Sequence, residues 1–129
     1  MQIATFLMFA GAAEDAMRSY VSLFPRSRIV SVERYGPNER GAEGTVKRAE
    51  FEINATRFMC IDSPVQHAFG FTPAISLFVD CDTRDEIDRA IEALGRDGQV
   101  LMPAGEYGFS RWFAWVQDRF GVSWQLNLP

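Results

Sequence analysis

The side chains of this chain that are best suited to chemistry lie near its middle. Cys60 and Asp62 are two residues apart, so in an extended strand both would lie on the same face. A thiolate at Cys60 could act as a nucleophile, and Asp62, Glu50 or Glu52 could act as a general base. Each residue also has a structural alternative, because free cysteines are among the most buried residue types and carboxylates on an exposed strand are simply solvated. Both interpretations stay open at this point.

Histidine and cysteine are too scarce for the usual multi-residue sites. His67 is the only histidine, and no acid or serine is placed to complete a catalytic triad with it. Cys60 and Cys81 are the only cysteines and form no CxxC motif, so we expect two reduced thiols in a cytoplasmic protein. No glycine-rich loop follows a strand in the pattern that holds a nucleotide-like cofactor, and we predict no cofactor.

The charge balance narrows the class of partner. Seventeen acidic and 13 basic residues give a net charge of −4, which is unfavourable for binding nucleic acid or an anionic membrane surface. No apolar run approaches the roughly 20 residues that a membrane-spanning helix needs. The N-terminal run has no basic residue before Arg18 and is predicted to be a strand rather than a signal peptide. The predicted partner is a small molecule, with no nucleic acid and no membrane.

Hydrophobic periodicity predicts the same order of elements in both halves of the chain. The first half is predicted to contain a strand at Ile3–Phe9, a helix at Ala12–Phe24, a strand at Arg28–Tyr35, a loop at Gly36–Gly44, and a hairpin of Thr45–Ile53 and Thr56–Asp62 around Asn54–Ala55. The second half is predicted to contain a connection at Ser63–Thr72, a strand at Ala74–Asp80, a helix at Arg84–Leu94, a strand at Gln99–Met102, a turn region at Pro103–Gly108, and strands at Arg111–Gln117 and Ser123–Leu128.

The two halves also match each other residue by residue. Shifting the first half onto the second places Leu7 on Leu77 and Met17 on Ile87, so the apolar stripes coincide. This pattern predicts an internal repeat of a βαβββ unit. We expect one α+β domain made of two pseudo-repeats, at about residues 1–66 and 67–129.

Two stretches of the second half carry a family resemblance. FTPAISLFVDCDTRDEID (residues 71–88) and WVQDRFGVSWQLNL (residues 115–128) resemble the PhnB-like branch of the vicinal oxygen chelate superfamily. That superfamily includes glyoxalase I, extradiol dioxygenases, and the bleomycin and fosfomycin resistance proteins. The branch is often labelled "3-demethylubiquinone-9 3-methyltransferase domain". The resemblance spans essentially the whole chain and implies a sheet curved into a cup, commonly completed in a homodimer.

The resemblance also implies where metal ligands would lie. In metal-dependent relatives the first and last strands of each repeat supply four His, Glu or Gln ligands. The matching positions here are Thr5, Ala74, Gln125 and, less securely, Cys60. Alanine supplies no ligand and a lone thiol needs partners, so this set does not suit a divalent metal. The sequence therefore predicts no metal.

Several residues are expected at the cup wall or rim. Arg111 would suit an anionic ligand through its planar donor fork, or it could simply lie on the surface. Trp112, Trp115 and Phe113 could stack on an aromatic ligand, or they could be core or interface residues. The complete expected set is Thr5, Leu7, Phe58, Cys60, Asp62, Ala74, Ser76, Phe78, Tyr107, Arg111, Trp112 and Gln125.

Three functions remain open. The first is a metal-free protein that binds a small molecule. The second is an enzyme that uses Asp62, Glu50 or Cys60, or that has the methyltransferase activity of the family label. The third is an interaction subunit whose cup is filled by its own side chains Phe9, Phe58, Phe78 and Met102.

Overall fold

The computed structural model describes all residues from Met1 to Pro129, and two βαβββ modules follow each other along the chain. They form two units, Met1–Ala68 and Phe69–Pro129. The first module contains β1 (Thr5–Phe9), α1 (Ala13–Leu23), β2 (Arg28–Arg34), β3 (Val46–Ile53) and β4 (Thr56–Asp62). Its sheet has the order β1-β4-β3-β2, in which β1 and β4 are parallel and the other neighbours are antiparallel.

The second module repeats this arrangement. It contains β5 (Leu77–Asp80), α2 (Arg84–Gly95), β6 (Gln99–Gly105), β7 (Trp112–Gln117) and β8 (Ser123–Leu128). Its sheet has the order β5-β8-β7-β6, again with the first and last strands parallel. The predicted α+β fold of paired βαβββ modules is therefore confirmed. Neither helix is long and apolar enough to cross a membrane.

Two predicted strand boundaries are wrong by three residues, and the other strand boundaries agree within two residues. β5 begins at Leu77 rather than Ala74, because Pro73 and Ala74 form a turn in which the Ala74 N–H donates to the Thr72 hydroxyl at 3.4 Å. β6 continues to Gly105 rather than ending at Met102. It is an edge strand with irregular register against β7, and such a strand tolerates a proline.

The hairpin between β3 and β4 is confirmed, with a two-residue loop at Asn54 and Ala55. Both residues have positive φ, 49° and 63°, as a type I′ turn requires. Arg26 stabilises this turn, because its backbone carbonyl accepts from the Ala55 N–H at 2.8 Å and its guanidinium donates to the Asn54 side chain. The short loop fixes the register that pairs Phe51 with Phe58.

In the first module α1 covers the face that we expected to be open. The buried side chains of this face are Leu7, Phe9, Ala49, Phe51, Phe58, Cys60 and Asp62, and α1 buries Ala13, Ala16, Met17 and Tyr20. Leu7, Phe58, Cys60 and Asp62 were predicted at the cup wall, and that placement is wrong. Strand alternation left the choice ambiguous, because the opposite face of β1 and β4 is also largely apolar, with Phe6, Met8, Met59 and Ile61.

In the second module α2 covers the apolar side of β8. Trp124, Leu126 and Leu128 of β8 are buried together with the α2 residues Ile87, Ala90 and Leu94. Phe78, Gln125 and Asn127 lie on the other face. We call the sheet face that the helix of the same module does not cover the open face of that module.

Asp62 joins three backbone segments of the first module through hydrogen bonds. Its Oδ1 accepts from the Gly11 N–H at 2.7 Å and the Ala13 N–H at 3.0 Å, and its Oδ2 accepts from the Val46 N–H at 2.9 Å. Ala12, at the N-cap of α1, has no side chain that can accept from the helix amides. The Asp62 carboxylate supplies that cap from β4, and it is only 3% exposed.

We predict that Asp62→Ala lowers the free energy of unfolding by about 3 kcal/mol, since it leaves buried amides without acceptors. Asp62→Asn keeps one carbonyl oxygen and should have a smaller effect. Urea denaturation followed by circular dichroism measures both. The exposed Asp82 provides the control, because Asp82→Ala should change stability by less than about 0.5 kcal/mol. Equal effects of Asp62→Ala and Asp82→Ala would contradict the capping role.

Candidate functional site

The open face of the second module carries a row of four side chains across its sheet. The strand register pairs Phe78 with Gln125, Gln125 with Trp115, and Trp115 with Met102. Phe78 is 57% exposed, while Gln125, Trp115 and Met102 are half-buried. The row therefore combines an accessible aromatic ring with a polar amide beside it.

A hydrogen-bond network lies next to this row. The Trp115 indole N–H donates to the Ser123 hydroxyl at 2.8 Å, and the Ser123 and Ser76 hydroxyl oxygens are 2.7 Å apart. The Gln125 side-chain amide donates to the Ser76 hydroxyl at 3.2 Å. We call these four residues the polar network. Because each side chain is held by another, the network presents its remaining donors and acceptors in fixed directions.

The segment between β6 and β7 covers part of the same open face with aromatic rings. Phe113 of β7 lies on this face but is only 3% exposed. The ring of Phe109 contacts it edge-on at 5.0 Å between centroids, and the ring of Tyr107 does so at 6.0 Å. Gly108, with φ of +88°, allows the turn between Tyr107 and Phe109. Tyr107, expected at the rim, thus lies beside the open face.

Trp112 was expected to line the cup, but it does not lie on the open face. Trp112 pairs with the buried Leu128, on the face that α2 covers, and the Arg84 guanidinium lies 3.7 Å from the centroid of its ring. The predicted stacking position for Trp112 is therefore wrong. Arg111 is exposed, and its side chain donates to the Pro129 carbonyl at 2.6 Å.

The open face of the first module has a different chemistry. Phe6 is 51% exposed, and Met8, Met59 and Ile61 are half-buried beside it. Thr5, expected on this face, has the opposite parity and pairs with the buried Phe58. This surface is apolar and flexible in shape, because methionine side chains adapt readily.

The three candidate catalytic residues are each engaged in other interactions. Burial, and then the charge of Asp62, raises the pKa of the Cys60 thiol to about 12, so the thiolate is scarce at neutral pH. Asp62 binds backbone amides under α1. The Glu50 carboxylate forms an ion pair with Arg57 at 2.6 Å.

His67 has a serine beside it, and its Nε2 lies 3.0 Å from the Ser63 hydroxyl oxygen. The same hydroxyl lies 2.9 Å from the Val65 carbonyl oxygen, to which it can donate, and it accepts from the Val65 N–H. Ser63 thus forms a local turn with Val65, as serine commonly does.

The register also corrects one of the expected metal-ligand positions. The internal repeat places Leu7 on Leu77, and these residues pair with Cys60 and Trp124 respectively. Cys60 is therefore the counterpart of Trp124, and the next residue, Ile61, is the counterpart of Gln125. Isoleucine and Ala74 have no donor atoms in their side chains. No group of three or more His, Cys, Asp or Glu side chains could hold a metal ion. The residues present therefore do not fit a divalent metal ion.

A nucleotide-like cofactor also lacks a suitable anion site at the first helix. The Gly11 and Ala13 amides, which would face a phosphate or carboxylate there, already donate to Asp62. At α2 the Glu86 amide donates to the Thr83 hydroxyl, which caps the helix. The residues around these helix starts therefore do not fit such a cofactor.

Sequence reasoning missed the polar network as a unit. The alternation of Ser123, Gln125 and Asn127 signals a polar face on β8, and Ser76 and Gln125 were expected to face the cup. Trp115 was expected as a possible stacking residue, but its hydrogen bond to Ser123 was not predicted, because β7 is apolar in both parities and either tryptophan could have faced outward.

Comparison with known proteins places this architecture in a family. The family model described as 3-demethylubiquinone-9 3-methyltransferase matches residues 1–127. A solved structure from Bacillus cereus, described as a 3-demethylubiquinone-9 3-methyltransferase, PhnB protein, is 55% identical, with a TM-score of 0.98 and full coverage of both chains. Protein YjdN of Escherichia coli is 23% identical over 99% of this chain and 95% of its own length.

A more distant structure shows the same fold. The fosfomycin resistance protein FosX of Listeria monocytogenes has a TM-score of 0.64 at 7% identity, over 100% of this chain and 93% of that chain. Because the family model spans nearly the whole sequence, the chain belongs to the PhnB-like family described as 3-demethylubiquinone-9 3-methyltransferase.

Proposed function

We propose that this protein binds a small organic molecule on the open face of its second module, without a metal. The observation that carries the proposal is the polar network beside the exposed ring of Phe78. Ligand sites combine apolar and aromatic surface with a few oriented polar groups, and this face has both. Phe113, with the rings of Tyr107 and Phe109, extends the aromatic surface.

The state of the candidate catalytic groups favours binding over catalysis. A nucleophile or general base must reach a ligand, but Cys60 and Asp62 are buried under α1. Glu50 is held by Arg57. The family label names a methyltransferase, which would need a site for a nucleotide-like cofactor. The backbone amides at the starts of both helices are already hydrogen-bonded within the protein, so they do not support that activity.

The positions of four apolar residues argue against a site filled by the protein itself. Phe9 and Phe58, two of the expected filling residues, lie on the covered face of the first module. Phe78 is exposed and Met102 is only half-buried on the open face of the second module. The face therefore keeps accessible apolar surface for a ligand.

We also propose a cytoplasmic homodimer. Both cysteines are free thiols, which suits a reducing compartment. Large apolar side chains are exposed in the single chain, including Phe6 and Phe109. Apolar exposure of this kind is typical of surfaces that another protein chain covers.

We predict that aromatic small molecules raise the melting temperature, and that Mn²⁺, Ni²⁺, Zn²⁺ and Fe²⁺ do not. Binding to the folded state stabilises it by an amount that grows with ligand concentration. A thermal-shift titration measures both. Phe78→Ala should reduce the ligand-induced shift, whereas Val100→Ala, an exposed residue of β6 paired with the buried Val116, should leave it unchanged. A metal-dependent shift would contradict metal-free binding.

We predict that Cys60 reacts slowly with iodoacetamide in the native protein near pH 8, since burial raises the pKa of its thiol to about 12. The variant Cys81→Ser isolates the reaction of Cys60. Labelling followed by mass spectrometry should show little modification in buffer and full modification in denaturant. Rapid modification of the native variant would restore Cys60 as a nucleophile.

We predict that light scattering coupled to size-exclusion chromatography gives a mass twice that of the 14.6 kDa chain. The exposed apolar surface provides the physical reason. Measurement over a dilution series separates a stable dimer from weak association. A single-chain mass at the highest concentration would overturn the dimer proposal.

A further inference from the structure

The hydrogen bonds of the polar network determine which of its groups remain for a ligand. Ser123 is only 2% exposed, so its hydroxyl proton needs an acceptor inside the protein. Trp115 cannot provide one, because an indole N–H only donates. The acceptor at hand is the Ser76 hydroxyl oxygen, 2.7 Å away. Ser123 therefore donates to Ser76.

The Ser76 hydroxyl is left with a proton to donate. Its oxygen accepts from Ser123 and from the Gln125 amide at 3.2 Å, which occupies both lone pairs. Its own proton has no acceptor within the second module. Because the Gln125 amide nitrogen faces Ser76, its carbonyl oxygen is the part of the side chain that remains to accept. The open face thus presents a hydroxyl donor and a carbonyl acceptor side by side.

The charges nearby favour a neutral ligand. Phe78, Gln125, Trp115 and Met102 carry no charge, and neither do Ser76 and Ser123. The ionisable residue next to this row on the open face is Asp80, which pairs with Asn127 two residues along from the pair of Phe78 and Gln125. Its carboxylate accepts from the Asn127 side-chain amide at 2.8 Å. A carboxylate at this position would repel an anion.

Building on the proposed function, we propose that the second module binds a neutral, flat ring compound whose edge carries a hydrogen-bond acceptor next to a donor. The acceptor receives the Ser76 hydroxyl proton, and the donor binds the Gln125 carbonyl oxygen. The ring packs on Phe78, which lies beside Gln125 in the strand register. A lactam, or cyclic amide, fused to an aromatic ring has this edge. Gln125, at a position that matches a metal ligand in the sequence resemblance, would thus bind the ligand by a hydrogen bond.

A matched pair of probes tests this ligand class. 2-Quinolinone has the acceptor and donor edge, and N-methyl-2-quinolinone has the same ring system with the donor blocked. Isothermal titration calorimetry should show 2-quinolinone binding about tenfold more tightly, the effect of one well-placed hydrogen bond. The anion 2-naphthoate should bind more weakly than 2-quinolinone. Equal affinity for the two quinolinones, tighter binding of the anion, or no binding of 2-quinolinone would overturn the proposal.

Variants of two glutamines separate the role of Gln125 from general effects. In Gln125→Leu the two quinolinones should bind with equal affinity, because the acceptor of the ring N–H is gone. Gln99→Leu, an exposed position two strands away on β6, should preserve the tenfold preference. Persistence of the preference in Gln125→Leu would overturn the assignment to Gln125. Unchanged binding of N-methyl-2-quinolinone by Gln125→Leu shows that the variant is folded.

The same titrations distinguish this proposal from the proposed function. If other aromatic compounds raise the melting temperature but 2-quinolinone does not bind, the ligand class is wrong and small-molecule binding stands. If no compound binds on this face, both proposals fail.

Discussion

The register of the parallel strand pair in each module determines the rest of the structure. In the first module β1 and β4 pair Leu7 with Cys60, and in the second module β5 and β8 pair Leu77 with Trp124. A slip of one residue would move every side chain of a strand to the other face. This pairing therefore sets which residues form the core under the helix and which remain on the open face.

The two modules start their helices by different means. In the second, the Thr83 hydroxyl caps α2 by accepting from the Glu86 N–H, three residues further along the chain. In the first, the side chain of Ala12 cannot cap α1. The Asp62 carboxylate, at the end of β4, accepts from the backbone amides at the start of the helix instead. A buried carboxylate is unfavourable unless it is bonded, and three backbone amides satisfy this one. These hydrogen bonds offset the cost of burying the carboxylate, and they fix the start of α1.

Local patterns were sufficient to predict most of the fold from the sequence. Both helices have regular apolar stripes, and the Asn54–Ala55 turn lies between two clear strands. The covered face of the first module could not be predicted in this way, because β1 and β4 have apolar residues in both parities. The position of Cys60 and the capping role of Asp62 depend on contacts distant in sequence, such as the Gly11 amide that Asp62 bonds.

The same limit explains the outcome at the candidate site. β8 alternates polar and apolar residues, so its open face was predicted, and Gln125 lies on it. β7 has tryptophan in both parities, so only the pairing with β8 shows that Trp115 faces outward and Trp112 does not. A divalent metal site requires several anionic or imidazole donors close together, and the position in the first module that is equivalent to Gln125 is Ile61, which has no donor atom. The side chain of Gln125 is a neutral amide, so its polar groups need only hydrogen-bond partners. The Ser76 hydroxyl is one of these partners. The chemistry of this face thus follows from the register rather than from any single catalytic residue.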